Sequence, residues 1–166
     1  MWHRETPLHW AASNDDVELI DALLDAGADI EHAGSSIDGG SPLSSAVGYG
    51  QWAAARRLVK RGAKSLFWHE AALGLMSAIT KRVEADPRPQ PEELSAPFWN
   101  ACHGGQLAAA QYLLVHGADL NWPAPWSARH RGAGGMERCR GLADRTGRKP
   151  REERRLTRHL IVVVIR

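Results

Sequence analysis

Residues 5–31 read ETPLHWAASNDDVELIDALLDAGADIE, and they describe a short helix, a tight turn, a second helix and an extended exit. Thr6 followed by Pro7 is a helix-start pair. The hydroxyl can cap free backbone N–H groups, and proline at the first helical position gives up a donor that would have no partner there. Leu8, Ala11 and Ala12 give the first helix a narrow face of small residues, and Asn14-Asp15-Asp16 interrupts it and offers a fresh cap. From Val17 the apolar positions are Val17, Ile20, Leu23 and Leu24, the stripe of a one-sided helix. Asp16 and Glu18 fall in its first turn, where the positive end of the helix dipole favours acids. Gly27 stops it, because glycine takes the left-handed conformation at a helix end without strain.

A helix pair this small cannot bury its own apolar face, so its stability requires neighbours of the same kind. The pattern returns in GSPLSSAVGYGQWAAARRLVKRGAK, where Ser41-Pro42-Leu43, Ala46, Leu58-Val59 and Gly62-Ala63 match Thr6-Pro7-Leu8, Ala11, Leu23-Leu24 and Gly27-Ala28. It returns again in APFWNACHGGQLAAAQYLLVHGADLNW, with Pro97, Ala101, Leu113-Leu114 and Gly117-Ala118-Asp119. Between these lies HEAALGLMSAITKRVEADP, a worn third copy that keeps Ala71-Ala72, a turn at Gly74 and the stripe Met76, Ile79, Val83.

On these motifs, above all TPLHWAA and LLDAGADI, the chain resembles the ankyrin repeat family over roughly residues 4–122. The resemblance implies an all-α solenoid of about four stacked helix–turn–helix units with short hairpin loops projecting to one side. It also implies non-catalytic protein–protein recognition on the concave loop and helix face. Carried over position by position, that face comprises Glu5, Ser13, Asn14 and His32 from the first unit, Ser36, Ile37, Asp38 and Tyr49 around the second, and His103 and Trp122 in the fourth. His9 belongs to the family's Thr-Pro-Leu-His turn, where the imidazole helps to bind neighbouring loops.

The copies are unevenly joined. The glycine-rich link between units one and two predicts a projecting loop with its tip near residues 35–38, whereas Gly62 to Ala71 leaves too few residues for a full hairpin. Pro87, Pro89, Pro91 and Pro97 predict a stiff, extended passage into the fourth unit. Residues 1–126 suffice for one domain with a continuous elongated core. The formal charge of +2 hides a division: up to Trp126 there are 9 Lys/Arg against 15 Asp/Glu, and from Ser127 onward 12 against 4. Residues 127–166 form an arginine-rich tail with no helical stripe before Leu156. It reads as a disordered extension, as text out of frame from a GC-rich gene, or as a nucleic-acid or acidic-surface contact through Arg138 to Arg158. The tail withdraws the repeat pattern where a polar terminal unit is expected, leaving the outer face of Leu107, Ala110, Leu113 and Leu114 without a cover.

Other chemistry finds little in the pattern. Cys102 beside His103 points elsewhere on a helix and stands where unit one has Ala12, a small packing position. With Cys139 it gives no disulfide framework and no zinc spacing. No H-x-x-x-H spacing, phosphate-binding glycine loop or nucleophile elbow occurs; no cofactor, metal or enzymatic activity is expected. The acids Asp15, Asp16, Glu18, Asp21 and Asp25 read as a solvated face or as a patch for a basic partner. Trp10 and Trp99 are expected in the core, and Trp122 and Trp126 either at a binding surface or over the open end. No leader and no apolar run of membrane-spanning length is read, so a cytoplasmic monomer is expected.

Overall fold

The computed structural model describes residues 5–37 and 40–122, and within them every regular element is helical. Four helix pairs follow in order: α1 (Pro7–Ser13) with α2 (Val17–Asp25), α3 (Pro42–Tyr49) with α4 (Trp52–Lys60), α5 (Phe67–Leu73) with α6 (Met76–Val83), and α7 (Pro91–His103) with α8 (Leu107–Val115). The proposed boundary at 126 and the arginine-rich tail lie outside the described residues.

Each turn within a pair needs one residue in the left-handed region. Glycine supplies it in three units, at Gly50, Gly74 and Gly105, while the first unit uses Asp15 at φ 59°. An L side chain is strained there, and the compensation is visible. The Asp15 carboxylate accepts the Ala54 N–H at 2.7 Å, so the turn of one unit caps the second helix of the next. Gln51 crosses the same junction, its side-chain amide donating to the Ser13 carbonyl at 2.9 Å.

The first helices form an unbroken row, α1 on α3, α3 on α5 and α5 on α7. The close fit of the last pair depends on Gly104, where a Cβ would run into the Ala72 carbonyl oxygen. The second helices do not match this continuity. α2 packs on α4 and α6 on α8, but α4 and α6 barely touch. The six residues 61–66 join unit two to unit three with no projecting hairpin, as the short spacing foretold.

The core divides accordingly, which corrects the expectation of one continuous core. Leu8, Ile20, Leu43, Val47 and Leu58 form one cluster, which extends to Ala72 and Leu73. Ile79, Val83, Leu94, Phe98 and Leu113 form another, which includes Ala71. The two share α5 as a common wall. Leu23 and Leu24 are only half-buried against the first cluster, at the outer side of unit one.

The fourth unit starts earlier than its motif. Pro97 was read as part of an extended passage, yet it lies inside α7, which begins at Pro91. Gln90 donates its N–H to Glu93 Oε2 at 2.7 Å, and Glu92 and Glu93 sit in the first turn, where acids stabilise a helix. An interior proline costs roughly 3 kcal/mol in helix propensity; here Pro97 is buried, and apolar packing offsets that loss. The added turn also anchors the unit's exit, since Ser95 Oγ accepts the Asp119 N–H at 3.0 Å.

Of the outer face expected to lack a cover, Ala110, Leu113 and Leu114 are buried and Leu107 is 47% exposed. Trp10, expected in the core, is 61% exposed. Its counterparts Ser45 and Glu70 are covered by contacts with Ser35 and Ser65 in the connections just before their helices. Trp99 is half-buried. Cys102 packs in the second cluster.

Candidate functional site

Three of the ten proposed contact residues come together. The loop after α2 is anchored from beneath by Ser35, whose hydroxyl meets Ser45 Oγ at 2.6 Å and accepts the Ile37 N–H at 2.9 Å. Ile37 itself is 5% exposed and pins the loop to the helices. Above this anchor the Ser36 N–H donates to Glu5 Oε1 at 2.9 Å, and Ser36 Oγ lies 3.0 Å from the Tyr49 hydroxyl. Tyr49, at the end of α3, is left 48% exposed. Glu5, Ser36 and Tyr49 thus make one small surface with a fixed loop and a presented aromatic ring.

The other candidates are placed differently. Ser13 Oγ donates to the His9 carbonyl and Asn14 Nδ2 to the Trp10 carbonyl, both at 2.8 Å, so each side chain bonds back to its own helix. His32 stands edge-on to His9, with ring centroids 6.1 Å apart. Trp122 is half-buried and its N–H donates to the Asp119 carbonyl at 3.2 Å. Asp38 lies outside the described residues, as do Trp126 and Arg138 to Arg158. His103 belongs to a second cluster, stacked on Trp99 at 5.5 Å and edge-on to Trp52 at 5.2 Å. That contact joins unit two to unit four directly, past the turn of unit three.

Two histidines hold the loop side of the array. His9 Nδ1 accepts the Thr6 N–H at 3.1 Å and meets the Thr6 hydroxyl at 2.9 Å, while Nε2 faces the Gly40 carbonyl at 3.3 Å. The Thr6 hydroxyl therefore caps through the imidazole and not on a backbone N–H. Burial lowers the pKa of His9, and the bond to Gly40 opposes that in part. His69 repeats the arrangement in the worn third unit, with Nδ1 accepting the Leu66 N–H at 3.1 Å and Nε2 3.2 Å from Ser44 Oγ. Burial brings its pKa down to about 4. His69 stands outside the residues that the sequence motifs mark, although aligning Ala71-Ala72 with Ala11-Ala12 places it on His9.

The acidic cluster is solvated at Asp16, Glu18 and Asp25, but most of it is tied to neighbouring groups and is not a free patch. Arg57 chelates Asp21 through Nε and Nη2 at 2.7 and 2.6 Å, and Arg61 reaches Asp21 at 2.8 Å and Asp25 at 2.6 Å. The bonds from Arg57, then those from Arg61, hold the Asp21 carboxyl below its ordinary range, and both guanidinium groups are raised in turn. Asp15 caps α4, and Asp16 accepts the Leu19 N–H at 2.9 Å. Four of the five acids therefore serve the junction of units one and two or the start of α2. In unit three, buried Glu70 takes Arg82 Nε at 2.6 Å and the Ser65 hydroxyl at 2.8 Å, clasping the shortened connection to α6.

A cavity of about 240 Å³ opens at the outer end of unit one, walled by Pro7, Leu8, Leu23 and Ala28 with Asp29 and His32 at hand. Its polar groups are engaged locally: Asp29 Oδ1 accepts the Glu31 N–H at 2.9 Å, and the Thr6 hydroxyl faces His9. Among the described residues no group of three or more His, Cys, Asp or Glu side chains is placed to hold a metal ion, and no helix is long and apolar enough to cross a membrane.

A family profile described as ankyrin repeats (3 copies) matches residues 3–66. A solved ankyrin repeat domain from Acinetobacter baumannii AYE is similar at 21% identity, covering 87% of this chain and 82% of that one, with a TM-score of 0.43. The human ASB11 ankyrin repeat domain is similar at 15% identity, covering 89% and 88%, with a TM-score of 0.38. No curated protein matches the chain.

Proposed function

As a member of the ankyrin repeat family, this chain is, we propose, a non-catalytic protein-recognition module whose partner lies across the loop and first-helix face of units one and two. Ankyrin repeats are in general protein–protein interaction modules. The observation that carries the finer reading is the Glu5–Ser36–Tyr49 contact, which ties down the loop after α2 and leaves an aromatic ring half in solvent. A ring already held in place loses little freedom on binding, and exposed aromatics are over-represented among residues that dominate interface energies. Glu5 adds a carboxylate beside it, and a partner donor could share that acceptor.

The test is affinity capture from a lysate of the source organism with the full chain and with Tyr49→Ala and Ser36→Arg. A protein retained by the native chain and depleted at least ten-fold by both substitutions supports the reading. Retention unchanged by either substitution removes this face from the proposal.

A further inference from the structure

A second surface concerns the chemistry of the partner, and it rests on the reading of this chain as a protein-binding array. Acids are distributed very unevenly along the repeats. From Gly40 to Val83 there is one, Glu70, against seven Lys/Arg, and from Leu94 to Ala118 there is none. Glu70 is buried under Arg82. Arg57 and Arg61 are matched by Asp21 and Asp25. Asp15 reaches α4 from unit one and is held by the Ala54 N–H. Arg56 and Lys60 are left exposed on α4 with no carboxylate partner among the described residues. The Arg56 guanidinium makes one 3.3 Å bond, to the Leu73 carbonyl.

These two cations continue a line that starts in an aromatic cluster. Trp52, Arg56 and Lys60 follow one another at four-residue spacing on α4, which places them on one helical face. At the head of the line the Trp52 ring meets His103, itself stacked on Trp99. Around the turn of unit three, Gln106 closes over Gly74, where a Cβ would collide with the Gln106 amide oxygen. Beside this face α4 packs more on α2 than on α6. The result is a half-buried aromatic cluster, then an exposed basic stripe, along one face of α4.

We propose that this face of α4, from the Trp52–His103–Trp99 cluster over Arg56 to Lys60, docks an acidic segment of a protein partner that carries an apolar anchor. The anchor meets the rings and the carboxylates meet Arg56 and Lys60. Guanidinium–carboxylate pairing is directional and strong, and aromatic side chains supply contact area at small entropic cost. Long polyanions fit less well. The stripe offers two unmatched cations, too few for the phosphate-by-phosphate neutralisation on which a long polyanion's affinity rests.

The experiment is fluorescence anisotropy on the full chain. The probes are a fluorescein-labelled dodecapeptide alternating Glu and Leu, its Gln counterpart, its Lys counterpart and a twelve-residue oligouridine. The Glu peptide is expected to bind at least ten-fold more tightly than the Gln peptide. The double substitution Arg56→Glu with Lys60→Glu is expected to lose that preference and to favour the Lys peptide. If circular dichroism shows that variant unfolded, Arg56→Gln with Lys60→Gln is measured against the same criterion. Equal affinity for Glu and Gln peptides, an unaltered charge-reversed variant, or tighter binding of oligouridine overturns the proposal. Tyr49→Ala, which tests the loop face, leaves the Glu peptide's affinity unchanged, so either surface can fail without the other.

Discussion

At the scale of single residues, His69 is held as a neutral ring. Its Nδ1 faces the Leu66 N–H donor, so a proton there would set donor against donor in a site with almost no water. The pKa near 4 in the fold against about 6.5 in an unfolded chain means that the unfolded state binds the proton first as pH falls. Stability is therefore full above pH ~6.5, declines between the two values and levels off below about 4. The gap corresponds to about 3 kcal/mol, and His9 adds a smaller loss of the same sign. Urea denaturation at pH 7.5 and pH 4 should show the native chain losing that stability and His69→Gln losing much less. Asp15 gives a second residue-level prediction. Asp15→Ala removes the α4 cap and keeps an L side chain in the left-handed region, at a loss of about 2 kcal/mol. Asp15→Gly removes the cap and relieves the backbone, so it should lose about 1 kcal/mol less, measured by the same unfolding curves.

Helices as units obey closeness of approach. α5 and α7 meet where Gly104 passes the Ala72 carbonyl, and Gly104→Ala should cost about 2–3 kcal/mol by forcing the pair apart. Gly105→Ala is the control. It has φ 69° and open space around its Cβ position, and it should cost only the backbone term, about 1 kcal/mol. Thermal melts of the two variants separate crowding from conformational strain. Much of this scale was legible beforehand. The Thr-Pro-Leu and Gly-Ala-Asp signals located α1 to α4 and α8, because capping and helix termination are local chemistry. Pro97 misled because its motif position marks a start in other units. Only the preceding Gln90-Pro91-Glu92-Glu93, itself a capping pattern, reveals that α7 begins six residues earlier.

Considered whole, the molecule is two packed bodies on one shared helix. Leu58→Ala and Leu113→Ala should each cost about 2–5 kcal/mol, yet act on different halves. Hydrogen exchange should show Leu58→Ala lowering protection in α1–α4 far more than in α7–α8, and Leu113→Ala the reverse. A uniform loss of protection in either variant would show instead a single cooperative core. The division could not be read from periodicity, which reports that a helix has an apolar face and not which neighbour covers it. The missing hairpin at residues 61–66 was visible, but its consequence for α4 and α6 is tertiary. The same holds for the site. Glu5, Ser36 and Tyr49 were named from the repeat register, whereas the rings of Trp52, Trp99 and His103 meet across a skipped unit, beyond any nearest-neighbour argument.

The thin contact between α4 and α6 has a mechanical meaning as well. Stretched from its two ends, the array should yield first along that seam, where α5 and the Trp52–His103 ring contact bear the load. An optical-trap trace would then show two separate rips, each releasing about half the described length, and not one tall event followed by slack.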